Sequence, residues 1–153
     1  ATGRRVICIT GEGGLMFNIQ ELATIMHHKL PIKIFVLNNG GYLTIKQTQE
    51  MGFDGRLMGS TGKDLSFPIL DGVAHSYDMR FVLLRNHDDF YRLTSAIDGP
   101  YPVMCEVRMG HDQLQAPRAL NRRNPDGSMN PTKLEDSYPF LPPEVIAKEM
   151  QCD

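Results

Sequence analysis

Two glycine-bounded turns carry the groups in this sequence best suited to chemistry. Gly11-Glu12-Gly13-Gly14 offers one carboxylate, and Asn38-Asn39-Gly40-Gly41 offers two carboxamides and free backbone carbonyls. Carboxylate, amide oxygen and backbone carbonyl are hard oxygen donors, a set that suits Mg²⁺ rather than zinc or copper. The glycines let backbone approach a ligand closely, and a helix opening near Leu15 aims free N–H groups at an anion placed there. A divalent cation with a phosphate-bearing ligand is the chemistry these residue types favour. Taken alone, Glu12 reads as a solvated turn residue and Asn-Gly-Gly as a turn former. Only their pairing at matching strand ends argues for a metal.

Such a pairing needs a scaffold that sets the turns side by side. Residues 4–10 form a short apolar, β-branched run that reads as a buried strand, and residues 32–37 read as a second. Between them Leu15, Ile19, Leu22, Met26 and Leu30 recur at helical spacing, which predicts a helix over 15–30 stopped by Pro31. Strand, helix and strand make a βαβ unit with parallel strands, so both turns emerge at the carboxyl edge where open α/β sheets bind ligands. Further helices are expected over 42–49, 67–77 and 88–97, the last capped by Asn86 or Asp88, with strands over 80–84 and 103–109 and a loop over 50–65. The alternation predicts an α/β, doubly wound, mainly parallel sheet flanked by helices, over residues 1–110. Six of the ten prolines then fall between Pro117 and Pro143. Residues 111–153 therefore read as an extended Pro-rich C-terminal arm ending in a short helix over 143–150, with oligomerisation as its role.

Composition narrows the classes. The chain has 153 residues, 41% hydrophobic and 22% charged, enough for one self-sufficient domain. A formal net charge of −2 without a basic run argues against nucleic acid and against a membrane surface. Apolar runs are far shorter than the ~20 residues that span a bilayer, and no signal peptide is visible. Three cysteines without CxxC spacing disfavour a disulfide framework or a zinc site and make a cytoplasmic protein the expectation. Cys8 and Cys105 read as small core residues, and Cys152 as a tail thiol without a role. The histidines, His111 among them, share no ligand spacing. Two nucleotide motifs fail: GxGxxG would need glycine where Met16 stands, and a phosphate loop at Gly62-Lys63 would need glycine at Leu57 and a hydroxyl at Asp64.

Gly11-Glu12-Gly13, followed twenty-four residues later by Asn38-Asn39, resembles the thiamine-diphosphate motif, normally Gly-Asp-Gly and then Asn-Asn. Residues 17–49 are similar to the pyrophosphate-binding domain of acetolactate-synthase-like enzymes, and LSFP, RNHDD, PVMCEVRM, PDGSMNP and LEDSYPFLP extend the likeness over nearly the whole chain. The resemblance implies a thiamine-diphosphate-binding fold and the cofactors thiamine diphosphate and Mg²⁺. By position, Glu12, Asn39 and the carbonyl of Gly41 are the implied metal ligands. Gly11, Gly13, Gly14 and Asn38 would line the diphosphate, and Tyr42, Leu43 and Thr44 would lie on the cofactor and substrate side.

Two departures from the family pattern stand out. Glutamate replaces aspartate at 12, adding a methylene to a site where Mg²⁺ wants oxygens at ~2.1 Å in near-octahedral array, so we expect binding to survive in altered form. The family's activating glutamate also belongs to a pyrimidine-binding domain that these residues do not include, and an element that precedes the first motif strand in the family is not found before Ala1. The resemblance thus implies a part of an enzyme acting on 2-oxo acids by decarboxylation or carboligation, completed by a homo-oligomer or a partner chain, with no catalytic side chain of its own. The competing reading is a non-catalytic remnant or diphosphate-binding module of the same fold.

Overall fold

The computed structural model of the chain describes residues 4–113 and 116–151. Cys152 lies outside the described residues. The first compact unit runs to Asp112 and the second from Gln113 onward.

In the first unit the β-branched runs form a four-stranded sheet. Its strands are β1 (Val6–Gly11), β2 (Ile32–Asn38), β3 (Arg80–Leu84) and β4 (Val103–Arg108), in the order β1-β2-β4-β3. Every pairing is parallel. Side chains alternate across a strand, so each strand supplies both faces. Ile34, Val36 and Met104 pack with Leu15 of α1 (Glu12–Met16), Leu22 of α2 (Glu21–His27) and Leu70 and Ala74 of α4 (Leu70–Ser76). The alternate positions Phe35, Val82, Leu84, Val103 and Cys105 pack with Leu93 and Ala96 of α5 (Tyr91–Ile97). Helices on both faces make the sheet doubly wound, as the alternation predicts. The remaining helix, α3 (Leu43–Gly52), follows the Asn-Asn turn and buries Leu43 and Gln47 on one face.

Several expectations are corrected. The helix expected over 15–30 is split: α1 begins in the glycine turn itself, and residues 17–20 tighten into i→i+3 bonds such as Asn18 N–H to Leu15 (3.0 Å) and Glu21 N–H to Asn18 (3.0 Å). Asn18 is a weak helix former, which favours the break there. At the other end Lys29 takes a φ of 48°, Leu30 N–H reaches back to the Ile25 carbonyl at 3.0 Å, and Pro31 prevents resumption. Helix α4 starts at Leu70, not 67, because Pro68 disfavours helix at the residue before it. Finally β1 is exposed, not buried: it is the sheet's edge among the described residues, with Ile9 68% accessible and Cys8 exposed too. The apolar run makes a strand, but nothing in it says on which sides the strand is covered. Asn86 caps through its Oδ1, which accepts the Asp88 N–H at 2.9 Å, but what it opens is a 3₁₀ turn over His87–Phe90, so the helix expected over 88–97 becomes that turn followed by α5.

The second unit holds a two-stranded antiparallel ribbon of β5 (Arg122–Arg123) and β6 (Met129–Asn130), and helix α6 (Pro143–Glu149). Arg122 grips Asp136 through Nε (2.9 Å) and Nη2 (2.7 Å) and lies over the Phe140 ring at 4.3 Å. These pairings are local structure that proline content does not foretell. Among the described residues no helix is long and apolar enough to cross a membrane.

Candidate thiamine pyrophosphate site

Parallel pairing of β1 with β2 sets Gly11 beside Leu37, so both glycine turns leave the sheet together. Glu12, only 2% exposed, reaches across. Its Oε1 accepts the backbone N–H of Gly41 at 2.8 Å and that of Asn39 at 3.2 Å. The carboxylate is thus a brace between the two turns, and the longer glutamate arm supplies the reach.

Asn38 shapes the second turn. Its Oδ1 accepts the Gly40 N–H at 3.1 Å, while its Nδ2 donates to Glu106 Oε1 at 2.9 Å. Glu106, 5% exposed on β4, also takes Arg108 Nε at 3.2 Å. Gly40 adopts φ +73°, a left-handed conformation that glycine takes without strain. Behind it, Met109 N–H donates to the Asn38 carbonyl at 2.9 Å and His111 Nδ1 lies 2.5 Å from the Asn39 carbonyl. Asp112 pairs with Lys46 of α3, which also faces Glu50 at 3.7 Å. The contact holds the Asp112 carboxyl below its usual range and raises the Lys46 ammonium. Ahead of the turn, Gly41 bridges to Thr61, and Tyr42 N–H donates to the Ser60 carbonyl at 2.9 Å. A cleft of about 690 Å³ opens beside this turn, walled by Asn39, Gly41, Lys46, Ser60 and His111.

Glu12, Asn39 and Gly41 therefore meet at one point, with Asn38 immediately behind. Gly13 faces Tyr42 so closely that a Cβ there would lie 2.0 Å from the ring, and that ring also meets the Phe67 ring in a T-shaped contact with centroids 5.5 Å apart. Gly14 is tight against Thr10 Oγ1, 2.7 Å from a notional Cβ, whereas Gly11 has room. Leu43 is buried and lines the cleft. Thr44 is not brought to it: it is exposed and borders a separate hollow with Thr48 and Phe53. Among the described residues no three His, Cys, Asp or Glu side chains gather as a metal cluster. The oxygen-donor set here needs only one carboxylate. Sequence reasoning missed Glu106 and His111. A carboxylate inside the apolar run of β4 was the available signal for the first; the second had none.

Residues 1–107 match the family described as thiamine pyrophosphate enzyme, C-terminal TPP binding domain. The chain belongs to this family. Among relatives of this TPP-binding domain is the acetolactate synthase large subunit of Parasynechococcus marenigrum (strain WH8102), 31% identical over 107 residues, covering 69% of this chain and 17% of that one. The isozyme 2 large subunit of Escherichia coli (strain K12) is 29% identical over 150 residues, 95% of this chain and 22% of that one. Among solved structures, a Rhodococcus jostii RHA1 thiamine diphosphate-dependent 4-hydroxybenzoylformate decarboxylase superposes with a TM-score of 0.64 at 27% identity, over 71% of this chain and 20% of that one. The TPP-binding domain is acetolactate-synthase-like, and the chain spans about a fifth of the length of these relatives.

Proposed function

We propose that this chain holds thiamine diphosphate through Mg²⁺ and is the cofactor-binding part of an acetolactate-synthase-like enzyme acting on 2-oxo acids. The observation that carries the reading is the contact of the Glu12 carboxylate with both Asn39 and Gly41. Through their backbone N–H groups it ties the carboxylate to the two residues whose carboxamide and carbonyl, hard oxygen donors as well, would join it around Mg²⁺. Glu12, Asn39 and Gly41 would hold the metal; Gly11, Gly13, Gly14 and Asn38 would line the diphosphate; Tyr42 and Leu43 would border the cofactor and substrate. When bound, the cofactor supplies the nucleophilic carbon and electron sink for decarboxylation or carboligation. The chain's own residues anchor and orient: Glu12 ties the turns together, Asn38 and Glu106 fix the shape of the second, and the cleft leaves room for a substrate. A pyrimidine-binding domain, from a second copy or a partner chain, completes the site in this reading. A cytoplasmic location belongs to it too, supported by the free thiols of Cys8 and Cys105.

A second reading has one observation in its favour. The Tyr42 ring lies on Gly13, where the diphosphate would sit, as in a module that binds no cofactor. Calorimetry of the folded chain with thiamine diphosphate and Mg²⁺ separates the two. Saturable heat abolished by EDTA and by Asn39→Ala supports cofactor binding; a folded chain that gives no heat overturns it.

A further inference from the structure

We infer that His111 is a positioning residue that selects one orientation of the Asn39–Gly40 peptide, and with it the metal-facing shape of the turn. A peptide unit is planar, so holding its carbonyl and its N–H fixes it. In this turn the Asn38 carbonyl is held by Met109 N–H (2.9 Å) and the Asn39 N–H by Glu12 (3.2 Å). The Gly41 N–H is also held by Glu12 (2.8 Å). Between them the Asn39–Gly40 unit has its N–H on Asn38 Oδ1 (3.1 Å) and its carbonyl on His111 Nδ1 (2.5 Å).

That middle unit is the one with freedom to turn over. It precedes a glycine at φ +73°, and a glycine accepts either peptide orientation at little cost. Asn38 Oδ1 is itself a local bond that travels with the turn. His111 comes from a different strand end, so it alone refers the Asn39 carbonyl to the sheet. A carbonyl only accepts, so Nδ1 carries the proton and donates. The imidazole lies so close to Gly40 that a Cβ there would be 2.6 Å from Cε1 and 3.0 Å from Nδ1; any other residue at 40 would push the ring away. The next residue, Asp112, anchors the segment to Lys46 of α3. Met109, His111 and Asp112 thus form a strap over the Asn-Asn-Gly-Gly turn.

The orientation claim concerns the protein alone; its consequence for the cofactor rests on the proposed function. The test uses the full chain with His111→Ala and His111→Asn, whose amide N–H can replace Nδ1–H. His111 is exposed, so both variants should keep the parent's melting temperature. Without metal or cofactor, amide exchange at Gly40 and Gly41 is expected to run roughly three- to tenfold faster in His111→Ala and to return toward the parent in His111→Asn. With thiamine diphosphate and Mg²⁺, His111→Ala is expected to bind about tenfold or more weakly, again rescued by asparagine. Unchanged exchange at Gly40 and Gly41 overturns the inference, as does loss without rescue. A parent that gives no cofactor heat overturns the proposed function instead, and the exchange data still decide the role of His111.

Discussion

Glu12 Oε1 accepts the Gly41 N–H at 2.8 Å, joining the end of β1 to the end of β2 through a carboxylate that water scarcely reaches. Glu12→Ala would strand that N–H and the Asn39 N–H, at a cost of about 2–3 kcal/mol, while Glu12→Gln keeps an acceptor oxygen and costs less. Glu12→Asp withdraws the acceptor by one methylene. It is expected to lower stability yet tighten divalent-metal binding, because the shorter arm restores the family geometry. Urea titration reads the first effect and Mn²⁺ titration the second. Metal affinity no better than the parent's would show that side-chain length is not limiting.

Two glycines of the site should respond differently to alanine. A Cβ on Gly41 would sit 2.6 Å from the Ser60 carbonyl, which is backbone and cannot step aside, so Gly41→Ala should cost about 2 kcal/mol or more. A Cβ on Gly13 meets only the Tyr42 ring. Removing that ring with Tyr42→Ala should recover much of the cost of Gly13→Ala, a coupling above about 0.5 kcal/mol in a double-mutant cycle. Strict additivity would place the obstruction elsewhere.

Acid stability carries a signature of Asp89. Hydrogen bonds from the Arg85 side chain and backbone, at 3.0 and 2.9 Å, hold its carboxyl down at about 2. A depressed carboxyl stabilises the fold above the unfolded value of 3.8, and that contribution is lost as pH falls through about 2. The gap in melting temperature between the parent and Asp89→Asn should be full at pH 5 and shrink toward pH 2. A gap independent of pH would refute the assignment.

Lys33 is wholly buried in β2, its Nζ donating to the carbonyls of Gly99 (2.7 Å) and Tyr101 (2.5 Å) and so closing the link from α5 to β4. Lys33→Met leaves both carbonyls unpaired and should cost about 2 kcal/mol in urea titrations at pH 7. Burial lowers the Lys33 pKa from 10.5, so the unfolded chain binds the proton more readily. Raising pH through that range relieves the buried charge, and the parent should gain stability relative to Lys33→Met. Parity between the two proteins at pH 7 would sink the structural role.

What the residues disclosed in advance follows from which signals are local. The run IKIFVL foretold β2 to within a residue, and the Glu12 and Asn38-Asn39 turns could be matched because each closes a strand of the same βαβ unit. The burial of β1 could not be read: its side chains say strand, whereas its cover depends on what pairs with its outer edge. Glu106 and His111 come to the site only through the register of β4 against β2, Val36 beside Glu106 and Asn38 beside Arg108. No window around either residue contains that information. Thr44 stands next to the turn in sequence, yet on α3 it is exposed and borders a separate hollow.

Strand β4 is last of the four in the chain yet lies between β2 and β3. Among the described residues β3 pairs with β4 alone, so during synthesis that pairing waits until residues 103–108 exist, and the parallel pairings span long loops, which slows their closure. Glu106, Met109, His111 and Asp112 all arrive with or just after that strand. The second turn is therefore finished at the moment the sheet closes, so a chain stopped before Val103 would present Glu12 and Asn39 without the strap that gives them a fixed shape. Order of assembly thus makes the ligand-holding turn a reporter of completed folding.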